Sequence, residues 1–214
     1  PLTHWEIEEP LFFEDKFRFT YKDNFLSGID EDKHYETLEK DFINKPIGLL
    51  VLPHFMGAAV PYMDPNSKGM IVGLTLNHTL SNIYQGFLEG IAYEMKINLD
   101  TLKKCGIKPK KLIATGGGAS SKKWLQIKAN ICNMPIKVLS IKEAGCKGGA
   151  MIAGVATNEY SNIKEATKKM VKYVGIIKPQ KDVVTLYKEQ YKKYKKLYHI
   201  VKGLEKWITD ISVT

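Results

Sequence analysis

Between Lys111 and Ser140 the chain passes through an apolar run, KLIAT, three consecutive glycines, a helical pattern from about Ser121 to Cys132, and a second apolar run, PIKVLS (Pro135–Ser140). The loop IKEAGCKGG then leads into a small-residue helix, AMIAGVATNEY. Strand, turn, helix, strand, helix in this order implies an α/β layer architecture. Upstream, IGLLVLP (Ile47–Pro53) is a short apolar run ended by proline, and MIVGLTL (Met70–Leu76) is another. Both read as strands, joined by the Gly-, Pro-, Asp- and Asn-rich loop HFMGAAVPYMDPNSKG.

A long helix is expected from Thr79 to Cys105, because Leu80, Ile83, Tyr84, Phe87, Leu88, Ile91, Met95, Leu99 and Leu102 recur at three- and four-residue steps. Thr79 suits its start and Gly106 its end. Gly86 and Gly90 lie one turn apart inside it. Each costs about 1 kcal/mol of helix propensity relative to alanine, so close packing against a neighbouring backbone is expected to compensate. Shorter helices are expected near Asp32–Phe42 and Ile163–Val171, and a long final one over Asp182–Lys202. On that last helix Tyr187, Tyr191, Tyr194 and Tyr198, extended by Val184 and Val201, share one face. That spacing predicts packing against the domain rather than a stacking platform for bases. Residues 1–45 form an irregular lead-in, 46–204 the main domain and 205–214 a tail.

Function classes narrow with composition. The net charge of +9 rests almost wholly on lysine, with Arg18 the only arginine. Arginine is the usual reader of phosphates and base edges, and the lysines are scattered, so a solvated surface is favoured over a nucleic-acid face. A nucleic-acid binder would show affinity falling steeply with salt. Cys105, Cys132 and Cys146 are odd in number and widely spaced, and His4, His34, His54, His78 and His199 show no ligand spacing. The expectation is a reducing, cytoplasmic setting with no transition metal. No apolar run is long enough to span a bilayer, and the acidic, aromatic start lacks the features of a secretory signal. The chain opens at Pro1 without methionine, as a piece of a longer protein would.

The turn Gly116–Gly118 stands at the C-terminal end of a strand and the N-terminal end of a helix, the edge where open α/β sheets bind ligands. Glycine lets a ligand approach the backbone, and the helix start offers free N–H groups and partial positive charge. The stretch matches neither G-x-x-x-x-G-K-[ST] nor G-x-G-x-x-G, so a structural turn and a ligand loop both remain open on the residues alone. GCKGGAM (Gly145–Met151) is a second glycine-rich helix entry, either a close helix crossing or a second wall of the same cleft. Asp64, Glu89, Glu94 and Glu143 are the carboxylates near these segments, with Asp64 read as a turn former. No Ser–His–Asp or Cys–His constellation is legible.

Three ordered segments resemble the C-terminal domain of the FGGY carbohydrate kinases. They are LPHFMGAAVPYMDPNSKGMIVGLTLNHTLSNIYQGFLEGIAYE (Leu52–Glu94), ATGGGASSKKWLQIKANICNMPIKV (Ala114–Val138) and EAGCKGGAMIAGVATNEYSNIKEA (Glu143–Ala166). The tyrosine-rich end is also similar, whereas YKDNFL (Tyr21–Leu26) is a weak match. The resemblance implies an RNase-H-like, actin-like ATPase domain with a mixed sheet flanked by helices. It implies MgATP as cofactor and a sugar or polyol as phosphoryl acceptor. It places Gly116, Gly117, Gly118 and Ala119 against the nucleotide, with Ser121 and Lys122 at the adjoining helix start and Asn77 and Ser81 approaching from the long helix. The catalytic aspartate, the sugar contacts and the phosphate loop belong to an N-terminal kinase domain preceding this chain, so no catalytic residue and no metal ligand is assigned here. A homodimer is compatible with it; nucleic-acid or membrane partners are not implied.

Departures from the family pattern are Gln85 and Gly86 where R-A is usual, Ala58, Ala59 and Val60 in place of a more polar loop, and Cys146 and Gly149 in place of alanines. The Gln85 change reads as loss of a cation on the cleft side of the long helix. The departures at Gln85 and Gly86 motivate an alternative, a non-catalytic module of the same fold that senses ATP or a sugar phosphate.

Overall fold

The computed structural model describes residues 34–140 and 143–204. A one-and-a-half-turn helix α1 (His34–Glu39) leads to the hairpin-like pair β1 (Leu50–Leu52) and β2 (Met70–Val72), antiparallel with Val51 opposite Ile71. The long helix α2 (Leu80–Lys104) follows. Then come β3 (Leu112–Ala114), a 3-10 turn (Gly117–Ser120), α3 (Lys122–Cys132) and β4 (Ile136–Leu139). The chain closes with α4 (Ala144–Ala156), α5 (Ile163–Met170), β5 (Tyr173–Ile177) and α6 (Lys181–Val201). β4 pairs parallel with β3 and antiparallel with β5, giving a mixed three-stranded sheet with a bulge at Val138/Leu139.

Helix α3 separates two layers of core. Leu125 and Ala129 press onto Ile136 of the sheet, while Trp124, Ile127 and Ile131 join the main cluster with Tyr84, Leu88 and Tyr93 of α2 and Tyr187, Tyr191 and Tyr194 of α6. Helix α2 starts where expected. Thr79 and Asn82 form a capping box, with Asn82 N–H donating to Thr79 Oγ1 at 3.3 Å and Thr79 N–H to Asn82 Oδ1 at 3.1 Å. Thr79→Ala should therefore cost about 1 kcal/mol in urea unfolding, with no change in the slope of the transition. The helix ends at Cys105, followed by Gly106 at φ +85°.

The two helical glycines have the expected close neighbour. A Cβ on Gly90 would lie 2.4 Å from the carbonyl oxygen of Val51, and one on Gly86 would lie 3.3 Å from the Leu49 side chain. β1 thus packs directly along α2. The final-helix tyrosines are buried as the spacing predicts, and each donates its hydroxyl to a carboxylate: Tyr187 to Glu89 (3.1 Å), Tyr191 to Asp100 (2.8 Å), Tyr194 to Glu94 (2.7 Å) and Tyr198 to Asp64 (2.7 Å). A row of phenols docked onto a row of acids leaves no ring face for nucleic-acid stacking.

Three readings need correction. GCKGG is not a loop before a helix: α4 begins at Ala144 and takes these residues into its first turns, and a Cβ on Gly145, Gly148 or Gly149 would meet nothing within 4 Å. Without crowding, the local i→i−4 bonds outweigh glycine's poor propensity. β5 was not anticipated; its aromatic and β-branched residues, YVGII, were the available signal, but Gly175 interrupts the run. On α6, Val183 rather than Val184 is buried, because the tyrosine stripe continues back four residues from Tyr187. The expected helix over Asp32–Phe42 is seen as α1, and the residues before His34 lie outside the described residues.

Candidate functional site

The triple-glycine turn is built by backbone geometry that only glycine supplies cheaply. Gly116 adopts φ +79°, the left-handed side where a side chain is strained. Its carbonyl accepts Ala119 N–H at 3.2 Å, closing the turn. Gly118 is buried beneath it, whereas Gly117 is exposed and a Cβ there would meet nothing within 4 Å. Ser121 then caps α3, its Oγ accepting Trp124 N–H at 3.1 Å. Lys122 is exposed on the first turn. The outcome is an open backbone cradle at a helix N-terminus, the arrangement suited to a phosphate or ribose.

The N-termini of α2 and α3 lie at the same end of the domain, because α1 bridges them. Ser81 Oγ near the start of α2 donates to Leu38 O at 2.6 Å, and Lys123 Nζ on the first turn of α3 donates to Glu39 O. At the other end Leu99 of α2 packs with Cys132 at the last turn of α3. Asn77 is exposed in the turn just before Thr79, so it stands at the glycine-turn end. Ser81 does not face outward. It is buried, and its hydroxyl is spent on α1. Of the eight sequence-derived residues, Gly116, Gly117, Ala119, Lys122 and Asn77 are at least partly accessible at one end of the molecule, while Gly118, Ser121 and Ser81 support it through packing or hydrogen bonds.

Beside the cradle, on the α1 side of α3, a groove of 260 Å³ lies between Phe42, Asn44, Lys122, Gln126 and Gln180. Gln180 Oε1 accepts from Asn44 Nδ2 at 2.8 Å, which fixes that wall. Of the carboxylates, Asp64, Glu89 and Glu94 each accept a tyrosine hydroxyl of α6. Asp64 makes the expected turn, accepting Asn66 N–H at 3.1 Å, and Glu143 stands exposed before α4 with no capping bond. Among the described residues no group of three or more His, Cys, Asp or Glu side chains gathers as metal ligands would.

Gln85 is not at the cleft. It is fully buried, shares its two Nε2 hydrogens among Ile43 O (3.1 Å), Lys45 O (3.0 Å) and Glu89 Oε1 (2.8 Å), and accepts Ile43 N–H at 2.9 Å. Its role is to satisfy the backbone of residues 43–45, which run past without regular structure. The sequence reading missed this set, Ser81, Gln85 and Glu89, although polar residues four apart on an apolar helix were the visible signal.

Comparison with known proteins agrees with the fold. The model of the FGGY family of carbohydrate kinases, C-terminal domain, matches residues 20–157. Xylulose kinase from Staphylococcus epidermidis is 28% identical over 157 residues, covering 73% of this chain and 32% of the relative. Ribulokinase from Bacillus licheniformis is 33% identical over 157 residues, covering 71% of this chain and 28% of the relative. This chain thus spans about a third of the length of the curated relatives it matches. Among solved structures, the ligand-bound xylulose kinase from Lactobacillus acidophilus superposes with a TM-score of 0.75 at 22% identity, over 88% of this chain and 38% of that one. Plasmodium falciparum glycerol kinase with ADP gives a TM-score of 0.73 at 21% identity, over 89% and 37%.

Proposed function

This chain belongs to the FGGY family of carbohydrate kinases through their C-terminal domain, and from that premise we propose that it is the nucleotide-binding half of an ATP-dependent kinase for a sugar or polyol. The observation that carries the reading is the open Gly116–Ala119 cradle at the α3 N-terminus, with Asn77 exposed at the same end. In this role Gly116–Ala119 line the adenosine and α-phosphate, and the free N–H groups of α3 and the Lys122 ammonium offset phosphate charge. Magnesium, held through the phosphates, would neutralise the group in transfer. Transfer itself needs an aspartate base and sugar contacts from a second domain, so this chain alone should bind nucleotide weakly and turn none over. Phosphoryl transfer of this kind rests on positioning and electrostatics, and half of both is supplied elsewhere.

Relatives described as xylulose kinase, ribulokinase and glycerol kinase, and a solved gluconate kinase of the same fold, support a pentulose, a sugar acid or a small polyol as the acceptor. The sensing-module alternative loses its motive, since Gln85 sits in the interior rather than on the cleft. Gly117→Leu is the discriminating variant. Its side chain enters open space and its φ is ordinary, so the melting temperature should stay within about 2 °C while ADP affinity falls at least about tenfold. Unchanged ADP affinity, measured by calorimetry, would remove the cradle from the site. ADP release with a pentulose or glycerol by this chain alone would overturn the division of labour.

A further inference from the structure

Residues 40–47 form a strap with no helix or strand, laid along one face of α2. Ser81, Gln85 and Glu89, spaced four apart, face it in turn. Ser81 holds Leu38 O just before the strap, Gln85 holds Ile43 and Lys45, and Glu89 accepts Ile47 N–H at 3.2 Å. Only Glu89 among these anchors can change charge. We propose that Glu89 is a proton-operated latch: neutral, it keeps the strap seated on α2; ionised, it releases the strap to water.

The geometry leaves an ionised Glu89 without a counter-charge. Its side chain is fully buried. From α2 it faces Gln85 and Tyr93, from α6 Tyr187, and from the strap the Ile47 amide. Leu49, just before β1, and Val51 within it face the same stretch of helix. Among the described residues Glu89 takes part in no ion pair, and the Lys45 side chain is exposed while only its carbonyl joins the cluster. Three neutral donors do not replace hydration of a buried carboxylate. Burial accordingly raises its pKa to about 7, against the lowering effect of the Gln85, Tyr187 and Ile47 bonds. The strap is the cheapest element to lift, since side chains rather than a backbone ladder hold it. It is continuous with α1, which spans the N-termini of α2 and α3, so latch and cradle share a support.

Hydrogen exchange on the intact protein tests this without nucleotide. After correction for intrinsic rates, protection of the Ile43 and Ile47 amides should fall by about tenfold between pH 6 and pH 8, the change for a group titrating near 7 when closed and near 4.5 when open. In Glu89→Gln the corrected protection should be flat, while amides in α3 should be alike in both proteins. A flat profile in the unmodified protein, or the same fall in Glu89→Gln, overturns the latch. Should Glu89→Gln not fold, the profile of the unmodified protein decides alone.

Discussion

Gly90→Ala should destabilise the domain by about 3 kcal/mol, even though alanine is the better helix former by about 1 kcal/mol. The added methyl would sit 2.4 Å from the Val51 carbonyl oxygen, a backbone atom that no rotamer change can move. Val51 is fixed in β1 by pairing with Ile71, and α2 cannot retreat because Tyr84, Leu88 and Tyr93 are locked against α3 and α6. The strain must therefore open the α2–β1 contact. Gly86→Ala, whose methyl meets only side-chain atoms, of Leu49 at 3.3 Å and of Val51 at 3.4 Å, should lose less. Urea unfolding of both variants checks the order. A neutral or stabilised Gly90→Ala would mean that β1 does not lie on α2 as described.

The second large effect is a loss of stability on raising the pH. Glu89 is protonated up to about pH 7 in the fold but only to about 4.5 once unfolded. Between those values the native state binds the extra proton, so unfolding free energy falls as pH rises, by about 3 kcal/mol in all. Above about pH 7 both states are ionised and the dependence ends. Carboxylates with lowered pKa act in another window: Asp64, bonded by Tyr198, and Glu165, held to about 2 chiefly by Ser161 and Lys169, are two that bear on stability as pH falls below their ordinary values of 3.8 and 4.5. Both are solvent-facing, which makes their share small. Denaturant midpoints from pH 4.5 to pH 7 should thus decline in the unmodified protein and much less in Glu89→Gln. A rising profile across that window would contradict the burial of an unpaired acid.

Much of this architecture was legible because local signals agreed with one another. Thr79 and Gly106 bound α2 in sequence as in space, and the tyrosines of α6 marked its buried face by spacing alone. The two glycines of α2 announced a close neighbour without naming it; Val51, about forty residues away, is a tertiary fact. β5 and the early start of α4 were hidden for a related reason, since glycine at 145, 148, 149 and 175 weakens the periodic signal whether or not the backbone is regular. At the candidate site, the turn was readable from three glycines between strand and helix. The direction of Ser81 was not: its hydroxyl points to Leu38 because α1 folds across two helix ends, a contact no pattern within α2 encodes. Gln85 misled similarly: set against the family's R-A it read as a cation lost from the cleft side of α2, when the backbone of the strap is its partner.

The central claim is that nucleotide meets this domain at the Gly116–Ala119 cradle. Titrating the isotope-labelled chain with MgADP and following backbone amides tests it directly. The account predicts the largest shifts at Gly116–Lys122 and Asn77, with Gly175 and the C-terminal half of α6 unmoved. Saturating shifts centred elsewhere, or a glycine turn silent at millimolar MgADP, would contradict it.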